Sequence, residues 1–274
     1  LIIDCHTHLG ASGDDRAKAI WAESRRIPEW VVEAYLEAIG SVDSAILAAA
    51  PWEPEGLQGN GAVARFAREH SNVVPFLVID PASTTALADL TRAVEEQGAR
   101  GIKLGPIYQG FRPDRKQHFP IYEAMQRRGL PILWHQGSSF VAVRGPLEWA
   151  NPVLLDRVAR AFPELKMVVA HLGFPWIRET VALVRKQPNV YTDVSALGGH
   201  TWVLYNGLVE IVQYGGQDKV LFGSDYDACT SAQMQAALWE AAAIPSGTHL
   251  PPIPAEVVEA ILHRDSLAIL GIDG

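Results

Sequence analysis

Residues 131–173 read PILWHQGSSFVAVRGPLEWANPVLLDRVARAFPELKMVVAHLG. Two short apolar runs, Pro131–His135 and Lys166–Ala170, enclose a helix candidate, Asn151–Ala161. Asn151 is a good N-cap, and Pro152 suits the first helical position. Strands apolar at nearly every position, such as PILW and MVVA, are covered on both faces, as in parallel sheets. The same rhythm recurs along the chain. Further strand candidates are Leu1–Cys5, Val42–Ala48, Val73–Ile79, Gly101–Leu104, Asn189–Val194 and Lys219–Phe222. Most strand starts lie about 30 residues apart, the length of one β-α unit. Eight such units in 274 residues predict an α/β fold, a (β/α)8 TIM barrel. An open doubly wound sheet is the alternative, but Gly10-Ala-Ser-Gly13 lacks the spacing of a dinucleotide-binding turn.

Helix patterns between the strands cover Pro28–Ile39, Ser83–Gln97, Ile121–Arg128, Trp176–Lys186 and Gln233–Ala243. The Pro-rich Ile244–Pro254 reads as a loop before a C-terminal helix. No linker or repeat divides residues 1–274, so a single domain is expected.

Composition narrows the function classes. Hydrophobic residues make up 48% and charged residues 20%, a globular balance. A net charge of −8 argues against nucleic acid or an anionic membrane as partner. No apolar run is long enough to span a bilayer. The opening LIIDCHTH lacks signal-peptide features, and Cys5 and Cys229 make no disulfide framework. A cytoplasmic, soluble domain is the expectation.

The histidines carry the function. His6, His8, His135 and His171 follow or end predicted strands, and Asp225 follows the last one in VLFGSDYD. Barrel active sites lie at the C-terminal ends of strands. His-x-His on a strand turns both imidazoles to one face. Two such imidazoles, a third from another strand and a carboxylate suit Zn²⁺ or another first-row divalent ion.

The stretches IIDCHTHLG, GIKLGPIYQGF, GLPILWHQGSS, VVAHLGFPW, NVYTDVSAL and VLFGSDYD occur in order over residues 1 to about 230. In this the sequence resembles the amidohydrolase superfamily, in its amidohydrolase-related (amidohydrolase 2) branch of metal-dependent hydrolases and decarboxylases. The tail HRDSLAILG is similar to the family's closing helix, with Asp265 where asparagine is usual. The resemblance implies a distorted TIM barrel with one divalent ion, zinc foremost and manganese or iron as alternatives. Its ligands would be His6, His8, His135 and Asp225, with His171 facing the bound water or the substrate.

A divalent ion lowers the pKa of water towards about 7. Asp225 can serve as ligand and general base, and His171 can hydrogen-bond the attacking oxygen or polarise a carbonyl. Asp4 shares the His6 face in an unbroken strand, as a carboxylate orienting a ligand imidazole or as a structural one. Cys5 would then face the other way, into the core.

Lys103, inside an apolar strand, has three readings. Carboxylated, it would bridge two metals, as in binuclear members of the superfamily. Otherwise it meets a substrate anion or a neighbouring carboxylate, or is structural. The loops supply substrate-binding candidates: Trp52, Tyr108, Gln109, Arg112, Arg144, Trp176 and Tyr226. Aromatic walls with cationic groups at the base suit a small planar or cyclic carboxylate.

Three readings follow. The favoured one is a metal-dependent hydrolase of a lactone- or amide-type bond. The second is a decarboxylase or hydratase of an aromatic or unsaturated acid. The third is a metal- or ligand-binding barrel without turnover. His-x-His, rather than the Glu-x-His that some decarboxylases of the branch carry, favours the first. A homodimer is a generic expectation.

Overall fold

The computed structural model describes residues 1–10, 13–139 and 145–272. Its strands are β1 (Ile3–Thr7), β2 (Ser44–Ala48), β3 (Val73–Val78), β4 (Gly101–Leu104), β5 (Ile132–Trp134), β6 (Met167–Val169), β7 (Val190–Asp193) and β8 (Val220–Leu221). They pair in sequence order, all parallel. The sheet then curls until its ends meet. The Cys5 amide donates to the Phe222 carbonyl (2.9 Å) and the Asp225 amide to the His6 carbonyl (2.7 Å). The outcome is a (β/α)8 TIM barrel.

Twelve α-helices follow the chain among the described residues. The first six are α1 (Asp15–Ser24), α2 (Glu29–Ala38), α3 (Asn60–Glu69), α4 (Ala86–Glu95), α5 (Pro106–Gln109) and α6 (Phe119–Arg127). The rest are α7 (Leu154–Ala161), α8 (Ile177–Lys186), α9 (Thr201–Gln213), α10 (Ser231–Ala243), α11 (Ala255–His263) and α12 (Ser266–Leu270). Two of the shifted helix starts have a plain local chemical reason. The Asn151 side chain accepts from the Val153 amide (2.9 Å), an Asx turn that delays α7 until Leu154. Thr230 and Gln233 form a capping box, so α10 starts at Ser231, two residues before the expected start. Asp265 caps α12 by accepting from the Ala268 amide (2.9 Å), a task asparagine performs equally well.

Two apolar clusters fill the space between barrel and helices, and a third involves the inward-facing side chains. In that third cluster Ile46, Phe76, Leu133, Val168 and Leu221 meet Leu270 and Ile272, so the C-terminal segment closes off the barrel interior. Gly101 makes room for Phe76: a Cβ there would come within 3.0 Å of three ring carbons. Gly101→Ala is therefore expected to destabilise the protein by about 1–3 kcal/mol, the usual effect of overpacking. Urea denaturation checks this, and an unchanged midpoint would contradict it.

Candidate metal centre

Asp225 lies beyond β8 with its backbone in the left-handed region (φ 60°). Its side chain is 19% exposed, whereas that of His6 is fully buried. Three imidazoles surround it. His6 Nε2 is 3.3 Å and His8 Nε2 3.4 Å from Asp225 Oδ1, and His171 Nε2 is 3.9 Å from Oδ2. His135 joins them through Nδ1, 3.3 Å from His171 Nε2.

The far side of each ring fixes which nitrogen faces inward. His8 Nδ1 is 2.8 Å from the Ala48 carbonyl, which only accepts, so the proton sits on Nδ1 and Nε2 keeps its lone pair. His6 Nδ1 meets Asp193 Oδ2 at 3.1 Å, and His171 Nδ1 meets the Ser195 carbonyl at 3.1 Å. The same argument applies to both. Three lone pairs thus converge on one carboxylate, the arrangement of a divalent-cation site.

Asp193 organises this arrangement. It ends β7, is fully buried, and receives the Ser195 hydroxyl and the amides of His171 (2.8 Å) and Ser195 (3.0 Å). The left-handed backbone of His171 (φ 59°) accompanies the amide bond to Asp193. Ser195 Oγ also lies 3.0 Å from His6 Nδ1 and 2.8 Å from His171 Nδ1. Neither Asp193 nor Ser195 was among the residues singled out from sequence. Their signal was present in NVYTDVSAL, a carboxylate ending an apolar strand with a serine two residues on.

Burial sets the protonation states. It pushes His8 down to about 3 against the pull of Asp225. Burial also lowers His135 well below its usual value, aided by His171 and Lys103, and lowers His171 against the pull of Asp225. These rings are neutral at neutral pH, as ligands must be. Burial alone would raise the Asp225 and Asp193 carboxyls, but His6 and His171 hold both below the usual carboxylate range.

The residues fit a divalent ion. Zinc ligands at about 2.0–2.2 Å in a tetrahedron lie roughly 3.3–3.6 Å apart, and the His6–Asp225 and His8–Asp225 separations match this. The donor atoms of His6, His171 and Asp225 all lie within 4.8 Å of one another. His135 Nε2 is buried without a hydrogen-bond partner among the described residues. Lys103 Nζ is 2.6 Å from His6 Nε2. Burial lowers its pKa to about 8, with Asp225 and Asp193 opposing. An ion on His6 Nε2 requires this lysine to give up its hydrogen bond.

Asp4 does not share the His6 face. The pairing of β1 with β2 slips between Asp4 and Thr7, with one extra residue on β1. Cys5 therefore packs inside the barrel beside Ile46 and Leu133, while Asp4 turns to α10 and accepts from Ser231 Oγ (2.6 Å). It also accepts from the amides of Ser224 (2.9 Å) and His6 (3.2 Å), so it holds backbone rather than an imidazole.

Among the substrate-binding candidates, Trp52 and Tyr108 adjoin the centre. The Trp52 ring is 5.3 Å from His8 and 5.0 Å from Tyr108, whose ring is 4.6 Å from His135. Gln109 is committed elsewhere, donating to the Ile79 carbonyl (2.6 Å) and accepting from the Gly105 amide (2.8 Å). Arg112 pairs with Asp114 (2.7 Å) and Glu148 (3.3 Å) and lines a separate rim depression with Trp176. The Tyr226 carbonyl accepts from the His8 amide (2.7 Å), and its ring lies against Tyr35 and the space beside Gly10. Arg144 lies outside the described residues.

The amidohydrolase family model matches residues 3–272, and the chain belongs to that family. Solved structures share its fold. A TIM-barrel protein from Bordetella bronchiseptica is 21% identical over 98% of this chain and 99% of that one, with a TM-score of 0.72. The 5-carboxyvanillate decarboxylase of Sphingomonas paucimobilis is 15% identical over 99% of both chains, with a TM-score of 0.67. A probable 2-pyrone-4,6-dicarboxylic acid hydrolase of Acinetobacter baumannii, with citric acid bound, gives the same identity, coverage and score. At such identities the likeness shows the fold alone. A comparison with curated proteins finds no match.

Asp193→Asn would present an amide where the carboxylate accepts from His6 Nδ1. Zinc affinity, measured by chelator competition, is expected to fall 10–100-fold, the usual effect of losing such a partner. Unchanged affinity in a folded variant would contradict the role given to Asp193.

Proposed function

We propose that this amidohydrolase-family chain is a metal-dependent hydrolase of a small cyclic or aromatic carboxylate, cleaving a lactone- or amide-type bond. The observation that carries this reading is the convergence of three Nε2 lone pairs on Asp225 beside the Trp52–Tyr108 aromatic wall. His6, His8 and Asp225 would hold one divalent ion, zinc in the first place, with His135 as the expected fourth ligand, although the third Nε2 against Asp225 in this structure is that of His171. When bound, that ion supplies Lewis acidity and an activated water.

The chain's own groups do the rest. Asp225, 19% exposed, can take the proton of the attacking water and deliver it to the leaving group. His171 Nε2, the most distant of the three from Asp225, keeps its lone pair and can orient the attacking water by accepting from it. Trp52 and Tyr108 receive a planar ring. Lys103 neutralises the buried Asp225 and Asp193 charges, or a substrate carboxylate if it swings from His6. A carboxylated Lys103 would instead accommodate a second ion.

Decarboxylation of an aromatic acid is the second reading. A decarboxylase and a probable hydrolase match the fold with equal scores, so the fold does not separate the two chemistries. A small carboxylated molecule is the proposed partner, with neither nucleic acid nor membrane, in a homodimer. No helix among the described residues is long and apolar enough to cross a membrane. Both cysteines are free thiols, which supports a cytoplasmic setting.

Zinc-loaded protein incubated with ring lactones, cyclic amides and aromatic acids tests the reading. Acid release without CO₂ is expected, and Asp225→Asn should lower it by about 10²–10⁴-fold, the range for a lost general base. CO₂ release would establish the second reading. No turnover with any of these classes would favour a binding barrel.

A further inference from the structure

The Ser195 hydroxyl, two residues beyond β7, is the meeting point of three groups. Its oxygen is 3.0 Å from His6 Nδ1 and 2.8 Å from His171 Nδ1, and it touches Asp193 Oδ1. A hydroxyl has one proton and two lone pairs. Asp193, as a carboxylate, can only accept, so the Ser195 proton points at it. Both lone pairs are then left for the two imidazoles, and each ring must arrive as Nδ1–H. The rings suit that sharing. They stack at 5.1 Å with planes 22° apart, and their Nδ1 atoms meet at one fully buried oxygen.

The imidazoles do not depend on Ser195 equally. His6 Nδ1 has a second acceptor in Asp193 Oδ2 (3.1 Å), and His8 Nδ1 is held by the Ala48 carbonyl (2.8 Å) without Ser195. For His171 Nδ1, both acceptors among the described residues belong to Ser195: its carbonyl at 3.1 Å and its hydroxyl at 2.8 Å. The backbone keeps these parts in place. The His171 amide donates to Asp193 Oδ1 (2.8 Å), and the Ala196 amide donates to the carbonyl of Ser224, the residue before Asp225 (3.1 Å).

The far side of His171 leads to the same tautomer. His135 Nε2 is buried and has no acceptor among the described residues, so the His135 proton belongs on Nδ1, 3.3 Å from His171 Nε2. A ring nitrogen that receives a proton there carries a lone pair.

We propose that Ser195 is the positioning residue of His171: its hydroxyl, locked by Asp193, holds that ring as Nδ1–H and keeps the Nε2 lone pair in the site. Use of that lone pair on an attacking water rests on the proposed function, whereas the tautomer and its dependence on the hydroxyl do not. The two polar residues after β7 begins to close thus divide the work. Asp193 carries His6, and Ser195 carries His171.

Long-range ¹H–¹⁵N correlation NMR of the zinc-loaded full chain, labelled on histidine, tests this with His8 as internal reference. In the wild type His171 is expected to carry its proton on Nδ1. Ser195→Ala should move His171 to a mixture of both tautomers and leave His8 as it is. Ser195→Thr, which keeps a hydroxyl, should restore the wild-type pattern. Zinc affinity of Ser195→Ala should fall by less than the roughly 10–100-fold expected when a ligand imidazole loses its partner, because His6 keeps Asp193. With dihydrocoumarin as the ring lactone, Ser195→Ala should lower kcat by about 10²-fold with KM little changed, the effect of a misplaced group in the attack geometry.

A His171 proton on Nε2 in the wild type would overturn the proposal without any variant. So would a wild-type tautomer in Ser195→Ala, or Ala and Thr variants that change alike. A zinc loss as large as that of Asp193→Asn would put Ser195 behind His6 and overturn the division of work. Failure of the functional reading looks different: the wild type would not open the lactone, while the NMR arms would still decide the role of Ser195.

Discussion

The buried carboxylate of Asp193 is the constraint on which the centre depends. A charge at the end of β7, out of contact with water, is costly unless its oxygens are fully bonded. Here they accept from the His6 ring, the Ser195 hydroxyl and two backbone amides. Satisfying that charge also determines the tautomer of His6, and through Ser195 the position of His171. One buried anion thereby turns two imidazoles towards Asp225. The carbonyl of Ala48 does the same for His8 from the neighbouring strand. Orientation of the ligands is thus built into the hydrogen bonding of β1, β2 and β7, before any ion arrives.

The barrel supplies the remaining geometry. Parallel strands all end on one face, so residues distant in sequence meet there: His6 and Asp193 are 187 positions apart. The slip in β1 adds a further adjustment. It lets Cys5 and His6 both face inward and leaves Asp4 to clamp β1 to the start of α10. The site therefore has two carboxylate supports with different targets. Asp193 holds the His6 ring together with the His171 and Ser195 amides, and Asp4 holds backbone amides and the Ser231 hydroxyl.

Much of this was legible in the sequence because the strands are apolar on both faces and end in polar residues. That pattern located all eight strands within about two residues at most boundaries, and it placed His6, His8, His135, His171 and Asp225 at one end of the barrel. Helices were less visible. α9 is buried along much of its length, so its apolar residues give no clear stripe, and α1 buries only Ala17 and Trp21. Strict alternation also misplaced Asp4, since a bulge is a property of strand pairing and leaves no mark in one strand alone. Gln109 and Arg112 had the right chemistry for a substrate, but neighbouring backbone and carboxylates already engage them. Asp193 was within reach of the rule that found the histidines.

The central claim is that His6, His8, His135 and Asp225 form a site for one divalent ion, with Lys103 outside its ligand set. The most direct test is metal content per chain, by elemental analysis of protein purified without added metal and again after reconstitution. Wild type should hold about one zinc or other divalent ion, as expected for a mononuclear site. Asp225→Ala should lose that ion and Lys103→Ala should keep it. Two ions per chain that disappear together in Lys103→Ala, or no ion even after reconstitution, would contradict the account.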